Sequence, residues 1–159
     1  MTTEVLTEQI LRKIEKASTL YYRLILVVAP SGGGKTKAFC AVRDHISALM
    51  VNANLELGRR LLELTERQRA LRLPRLLREI VYSSGGGLIL LDNIEIIFDV
   101  NLKQDPLRLL QGLSREKTVV AAWNGAVVEG YLTYAAPDHP EYRRYPMRDF
   151  LVVNPEVMT

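Results

Sequence analysis

The sequence has few of the residues that build disulfide frameworks and metal sites. Its 159 residues include one cysteine, Cys40, and two histidines, His45 and His139. A single cysteine excludes an internal disulfide, and no cysteine–histidine cluster has the spacing of a zinc site. No apolar run approaches the roughly 20 residues that span a bilayer. The charged N-terminus lacks a secretory leader, so the sequence predicts a cytoplasmic protein without membrane contact.

The remaining composition is that of an ordinary globular chain. Hydrophobic residues make up 48% and charged residues 25%, with a net charge of +3. A chain of this length can bury roughly 70% of its unfolded surface. We expect one domain over residues 1–159, with an N-terminal helix within 1–20 and a core over 22–153.

Short apolar runs alternate with helical patterns along most of the chain. The runs predict strands at 22–29, 48–54, 88–92, 117–124 and 149–153. Helices are predicted at 3–17, 35–46 and 55–64, and two more should open at Pro74 and Pro106. Residues 127–135 look like a hairpin around Glu129-Gly130, and residues 137–146 like a loop bracketed by prolines. This alternation predicts an α/β fold with a mostly parallel sheet and helices on both faces.

The stretch "APSGGGKT", residues 29–36, follows the first apolar run and precedes a predicted helix. It nearly fits the phosphate-binding pattern G-x-x-x-x-G-K-[ST], with Ala29 in place of the first glycine. Lys35 would contact the terminal phosphates of ATP, and the Thr36 hydroxyl would bind Mg²⁺. The backbone around the nucleotide would come from Ser31, Gly32, Gly33, Gly34, Lys35, Thr36 and Lys37. The competing interpretation is a chance match in a glycine-rich turn.

A second acid follows the buried run "LILLD". Asp92 stands where P-loop NTPases place a carboxylate that holds magnesium. Many ATPases of the additional-strand class have a glutamate next, but this chain has Asn93, and an amide cannot accept the proton of water. Glu95 could take that catalytic role, or it could only complement the dipole of a first helical turn.

Three further positions complete the candidate catalytic set. Asn124, at the end of a later predicted strand, could position water as in AAA+-like ATPases, or it could form a turn with Gly125. Arg143 and Arg144 could stabilise transition-state charge from a neighbouring subunit, although stacking on Tyr142 and Tyr145 competes; Arg115 is a further candidate. These motifs predict a P-loop NTPase with an AAA+-like core of the additional-strand class. Only six residues follow the last predicted strand, so no helical lid domain is expected.

Arginines concentrate in residues 59–78, which carry seven arginines against two acids. The segment could be a solvated helical face, a subunit interface or a phosphate-binding patch that contacts DNA. Its arginines are Arg59, Arg60, Arg67, Arg69, Arg72, Arg75 and Arg78.

The sequence also resembles the BrxF family, small P-loop proteins of type 3 BREX phage-defence systems. The resemblance is carried by "LILVVAPSGGGKT", "NLELGRRLLELTERQRALRLPRLL", "LILLDNIEIIFD", "LKQDPLRLLQGLSREKTVVAAWNG" and "LTYAAPDHPEYRRY". It implies a part in blocking phage DNA replication, with other BREX proteins as partners.

Two classes of function follow. The first is an ATPase that assembles with copies of itself or with partners. The second is a nucleotide-gated adaptor or DNA-binding module that binds ATP without hydrolysing it, which Asn93 and the absent lid favour. A small-molecule kinase is disfavoured, because no acceptor-binding insertion is evident.

Overall fold

A seven-stranded sheet organises the protein in the computed structural model, which describes residues 2–32, 34–83 and 85–155. The described strands are β1 (Leu24–Ala29), β2 (Leu49–Asn52), β3 (Leu88–Asp92), β4 (Thr118–Val128), β5 (Tyr131–Tyr134), β6 (Arg143–Pro146) and β7 (Leu151–Val153). The α-helices are α1 (Thr3–Ala17), α2 (Lys35–His45), α3 (Ala53–Leu61), α4 (Glu66–Tyr82) and α5 (Pro106–Leu113). Two 3₁₀ helices, Glu95–Phe98 and Val100–Leu102, follow β3.

The sheet separates two apolar cores. All six residues of β1 are buried, and its side chains alternate between the cores. Leu24, Leu26 and Val28 pack with residues of α3, α4 and α5, whereas Ile25 and Val27 pack with residues of α1 and α2. A strand buried on both faces needs a continuous apolar run, as its sequence shows. The predicted α/β arrangement with helices on both faces is confirmed.

Five strands pair in parallel in the order β2-β3-β4-β1-β7. Register places Ala29 of β1 beside Asn124 of β4, and Asn52 of β2 beside Asp92 of β3. The carboxyl ends of β1, β3 and β4 therefore meet at one edge of the sheet. In open α/β sheets this edge holds the ligand where the strand order reverses.

Helix α4 begins eight residues before Pro74, so the prediction that Pro74 opens a helix is wrong. Thr65 starts the helix with a capping box, in which its side chain and that of Gln68 bond to each other's backbone N–H groups. Pro74 lacks the N–H that would bond to the carbonyl of Ala70. The side-chain amide of Gln104 donates to that carbonyl instead, at 2.8 Å. A distant side chain thus makes the internal proline tolerable.

The region after residue 117 differs most from the predictions. Strand β4 continues to Val128, so Asn124-Gly125 is not a turn; β4 leaves its parallel pairing with β1 after Asn124 and pairs with β5. The hairpin around Glu129-Gly130 is confirmed. Residues 137–146 are not all loop, because β6 forms an antiparallel pair with β5.

Gly125 allows two strands to approach each other closely, and it does not form a turn. A Cβ atom there would collide with the backbone carbonyl of Thr133 and would lie 3.0 Å from the Trp123 indole nitrogen. That indole N–H donates to the same carbonyl at 3.0 Å. The missing side chain therefore lets β4 and β5 close over the buried Trp123.

Smaller differences concern element ends. The strand predicted at 48–54 spans only Leu49–Asn52, because Asn52 caps α3 by accepting from the Leu55 N–H. The last strand is limited to Leu151–Val153. Among the described residues, every helix is too short or too polar to span a bilayer.

Candidate functional site

A pocket of about 330 Å³ opens at the carboxyl ends of β1, β3 and β4. Three separate stretches of the chain meet there: the glycine-rich loop with the start of α2, the residues after β3, and the end of the parallel part of β4. Its lining residues are Ser31, Gly32, Gly34, Lys35, Thr36, Lys37, Asp92, Asn93, Glu95, Ala122 and Asn124. Gly33, also predicted to bind nucleotide, lies outside the described residues.

The loop delivers the open amino end of α2 to this pocket. Gly32 and Gly34 have φ angles of 81° and 82°, in the left-handed region that favours glycine. Gly34 occupies the cap position of α2, which has no side-chain cap and no acid in its first turn. The first N–H groups and the positive end of the helix dipole are therefore available to an anion.

Lys35 is a buried cation within this loop. Only 6% of its surface is exposed, and its ammonium donates to the carbonyls of Ala29 at 3.0 Å and Pro30 at 2.8 Å. Burial lowers the pKa of Lys35, although the carboxylates of Asp92 and Glu95 raise it. The side chain folds back on its own loop and is positioned to exchange those carbonyls for a stronger anionic acceptor.

Thr36 and Asp92 are joined across the pocket. The Thr36 hydroxyl donates to Asp92 Oδ2 at 2.6 Å, and the Asn93 N–H donates to Asp92 Oδ1 at 3.0 Å. Hydroxyl and carboxylate oxygens are the hard ligands that Mg²⁺ prefers. Within residues 2–32, 34–83 and 85–155, no cluster of three or more metal-ligating side chains exists. These oxygens fit a cation that takes its other ligands from phosphates and water.

Glu95 faces the same pocket from the first turn of the 3₁₀ helix after β3. Burial raises the pKa of its carboxyl group; Asp92 also raises it, whereas backbone N–H groups and Lys35 lower it. Glu95 therefore starts a 3₁₀ helix and lines the pocket, and its catalytic role stays a prediction. A carboxyl group with a raised pKa is better matched to accepting a proton near neutral pH than an ordinary glutamate.

Asn54 supports this part of the site, and the sequence interpretation missed it. The Asn54 N–H donates to the Asn93 carbonyl at 2.8 Å, and its side-chain oxygen accepts from the Ile96 N–H at 2.8 Å. Asn93 has a φ angle of 51°, a left-handed conformation that asparagine tolerates better than most residues. Asn54 thus fixes the turn between Asp92 and Glu95. The signal was its place in "NLELG", in the first turn of the helix that follows β2.

Replacing Asn54 with alanine should destabilise the protein through this turn. The Ile96 N–H would lose its acceptor, and the turn carrying Glu95 would loosen while Lys35 and Thr36 remain in place. We expect the free energy of unfolding, measured with denaturant, to fall by about 1–2 kcal/mol, the cost of one donor left without its acceptor. Asn54→Asp, which keeps an acceptor, should recover most of the stability. An equal loss in both variants would contradict the positioning role.

The predicted finger arginines lie away from the pocket lining. Arg143 donates to the backbone carbonyl of Gln104 at 3.3 Å, and the Arg144 guanidinium lies 3.5 Å from the centre of the Tyr131 ring. Arg115 stacks on Tyr21 at 4.9 Å. No arginine is among the described residues that line the pocket.

Arginines of the segment 59–78 have several different local partners. Arg59 and Arg60 pair with Glu56 at 3.7 and 3.2 Å. Arg69 folds over the end of α3 and donates to the carbonyls of Leu61, Leu62 and Leu64. Arg75 and Arg78 pair instead with Glu79 and Glu116, on another part of the surface. The segment therefore divides between helix capping, local ion pairs and a distinct basic surface.

Comparison with known proteins gives distant structural likenesses but no sequence match. No protein-family model matches the chain, and no curated protein matches it. Among solved structures, PCH-2 of C. elegans is similar with a TM-score of 0.44 and 16% sequence identity. The similarity covers 96% of this chain and 40% of PCH-2.

Proposed function

We propose that this protein binds ATP with Mg²⁺ in the pocket at the carboxyl ends of β1, β3 and β4, as a P-loop NTPase. The observation that carries the proposal is the hydrogen bond of 2.6 Å between Thr36 and Asp92, in the same pocket as the buried Lys35. A phosphate lysine, a metal hydroxyl and a metal carboxylate are the three side chains that this chemistry needs.

Each group has a defined part in binding. The N–H groups at the start of α2 would bond to phosphate oxygens, and Lys35 would exchange the carbonyls of Ala29 and Pro30 for the terminal phosphates. Thr36 and Asp92 would hold Mg²⁺, which supplies charge neutralisation at the phosphates when bound. Because two side-chain oxygens hold a metal weakly, Mg²⁺ should bind together with the nucleotide.

The strand order supports the additional-strand class. Strand β4 lies between β1, which leads into the loop, and β3, which ends at Asp92. Asn124 stands at the last parallel pair of β4 and lines the pocket between these two strands. In this proposal Asn124 would orient water beside the terminal phosphate.

We propose slow or partner-stimulated hydrolysis with Glu95 as the general base. The raised pKa of Glu95 and its place in the pocket support this role. The alternative is a nucleotide-gated adaptor that binds ATP without turnover. It is favoured by Asn93 after Asp92 and by the absence of arginine from the described pocket lining. Single-turnover hydrolysis, with and without partner proteins, separates the two functions.

Replacing Asp92 with asparagine should remove most of the increase in ATP affinity that Mg²⁺ gives. The Thr36 hydroxyl can still donate to the amide oxygen, but the amide nitrogen cannot accept from the Asn93 N–H. We expect Mg²⁺ to strengthen ATP binding about 10-fold or more in the unchanged protein and less than 2-fold in Asp92→Asn, a loss of about 1 kcal/mol or more. Titration of ATP in Mg²⁺ and in EDTA measures both values. An unchanged Mg²⁺ effect would exclude Asp92 as a ligand.

We further propose that nucleotide controls assembly with a second copy or with other BREX proteins. The resemblance to the BrxF family supports a role in phage defence, and an arginine from another chain would complete the pocket. Arg143, Arg144 and Arg115 are the candidate donors on the neighbouring copy. Molar mass in solution, with and without ATP and Mg²⁺, tests this assembly. A constant monomer mass would exclude self-assembly by this chain alone.

A further inference from the structure

Five arginines surround a set of adjoining depressions centred on Arg78. One depression, of about 540 Å³, is lined by Arg23, Arg78 and Arg115. A second, of about 300 Å³, lies between α4 and α5 and is lined by Arg75, Arg78 and Arg108. A third, against Tyr82 at the end of α4, shares Arg75 and Arg78. We call this surface the Arg78 groove: Arg23, Arg75, Arg78, Arg108 and Arg115.

The Arg78 groove combines distant parts of the sequence. Only Arg75 and Arg78 belong to the segment 59–78; Arg23 directly precedes β1, and Arg115 lies just before β4. Arg23 also donates to the Arg115 carbonyl at 2.9 Å. This hydrogen bond links the segments that precede β1 and β4. The groove thus borders the amino ends of β1 and β4, whereas the ATP pocket lies at their carboxyl ends. One ligand can therefore bind in the groove while another binds in the pocket.

The charge of the Arg78 groove is poorly balanced. The depressions contain five arginines and two glutamates, Glu79 and Glu116, a net of +3 that equals the charge of the whole chain. The pairs Arg75–Glu79 and Arg78–Glu116 span 3.3 and 3.4 Å, and all four side chains are at least 54% exposed. Exposed pairs of this kind contribute little stability, so these arginines can turn to a multivalent anion at small cost.

We propose that the Arg78 groove binds the phosphodiester backbone of a nucleic acid. Planar guanidinium groups bond to phosphate oxygens in pairs, and arginine supplies every cation in the lining of these depressions. Tyr21, 63% exposed, lies beside Arg115 and offers a ring on which a base can stack. An acidic protein would match the charge, but it supplies no base to extend the stack of Arg115 on this exposed ring.

The test is fluorescence anisotropy of the full chain with a labelled 20-nucleotide DNA of mixed sequence, single-stranded and duplex, across a range of salt. The groove variant replaces Arg75, Arg78 and Arg108 with glutamine. The control variant replaces Arg59, Arg60 and Arg67 with glutamine, which removes the same charge from α3 and the start of α4. All six side chains are exposed, so both proteins should fold; melting temperatures check this.

We expect the groove variant to bind DNA at least 10-fold more weakly and the control variant less than 3-fold. The salt slope for single-stranded DNA should fall by about 2 units in the groove variant, for three lost phosphate contacts. Equal losses in the two variants would overturn the proposal, because binding would then follow net charge alone. Salt-independent binding would also overturn it. Displacement by polyglutamate as effective as by unlabelled DNA would overturn it as well and would indicate an acidic protein partner.

Two variants distinguish a failure of this proposal from a failure of the proposed function. Lys35→Ala should lose ATP binding and keep DNA binding, whereas the groove variant should keep ATP binding. If Lys35→Ala also loses DNA binding, then DNA phosphates occupy the ATP pocket and the Arg78 groove is not the site. ATP could fail to bind to the unchanged protein while only the groove variant loses affinity for DNA. That result would support the Arg78 groove as a DNA site and contradict the proposed nucleotide site.

Discussion

Replacing Lys35 with alanine is expected to weaken binding of ATP with Mg²⁺ by about 100-fold or more. Lys35 is a buried cation of the pocket, and its ammonium donates to two backbone carbonyls. A charge-assisted hydrogen bond is worth about 1.5–3 kcal/mol, and one such bond to phosphate accounts for most of this loss. Equilibrium titration with a fluorescent ATP analogue measures it.

The control for Lys35→Ala is Lys16→Ala, which removes a lysine from the last turn of α1. It should bind the analogue as the unchanged protein does. Lys35→Ala should remain folded. The variant no longer bears the free-energy cost of burying an ammonium group, and this gain offsets the cost of leaving two carbonyls without a donor. Affinity within 3-fold of the unchanged protein would contradict the assignment of Lys35 as the phosphate lysine.

Replacing Glu95 with glutamine should lower hydrolysis by about 100- to 1,000-fold while leaving affinity for ATP within 3-fold. Glutamine keeps the size of the side chain but cannot accept the proton of the attacking water, and general-base catalysis is worth about 100- to 10,000-fold. Single-turnover hydrolysis measures the rate, and the fluorescent analogue measures the affinity. Glu63→Gln, on the exposed surface after α3, is the matched control.

The same variant should be more stable than the unchanged protein at neutral pH. Burial raises the pKa of Glu95 above its unfolded value, so folding favours the protonated form and opposes the ionised one. The stability that the protonated Glu95 contributes is fully present below the pKa of this residue in the unfolded chain. It is lost as the pH rises through the higher pKa that Glu95 has in the folded protein. The melting temperature of Glu95→Gln relative to the unchanged protein should therefore increase as pH rises above the ordinary glutamate value.

These two readouts distinguish the roles considered for Glu95. A slower reaction with a higher melting temperature is the result expected of a general base held in an unfavourable environment. A higher melting temperature with an unchanged rate would make Glu95 a helix-terminal residue only. Absence of turnover in the unchanged protein and its partners would favour the nucleotide-gated adaptor.

The sequence predicted the central strands β1, β3 and β4 well because both faces of each are largely buried in the parallel part of the sheet. A strand such as β1 must then be apolar throughout, and this requirement is visible in a short window. The loop before α2 was predictable for the same reason, since its glycines, lysine and threonine are consecutive. Asp92 and Asn124 follow from parallel pairing, which brings strand ends together at one edge.

The features that sequence reasoning missed depend on contacts between distant residues. Pro74 lies inside α4 because Gln104 bonds to the freed Ala70 carbonyl, and no local pattern contains that pair. Strand β6 exists because β5 offers it an antiparallel edge. Asn54 contacts Asn93 and Ile96 across about 40 positions of the chain. The Arg78 groove likewise joins residues from four segments that no sequence window covers.

Calorimetric titration of ATP into the unchanged protein, in Mg²⁺ and in EDTA, tests the central claim most directly. We expect one site per chain, tighter binding in Mg²⁺, and loss of binding heat in Lys35→Ala. The claim would be contradicted by an absence of saturable binding at millimolar ATP, or by binding that persists unchanged in Lys35→Ala.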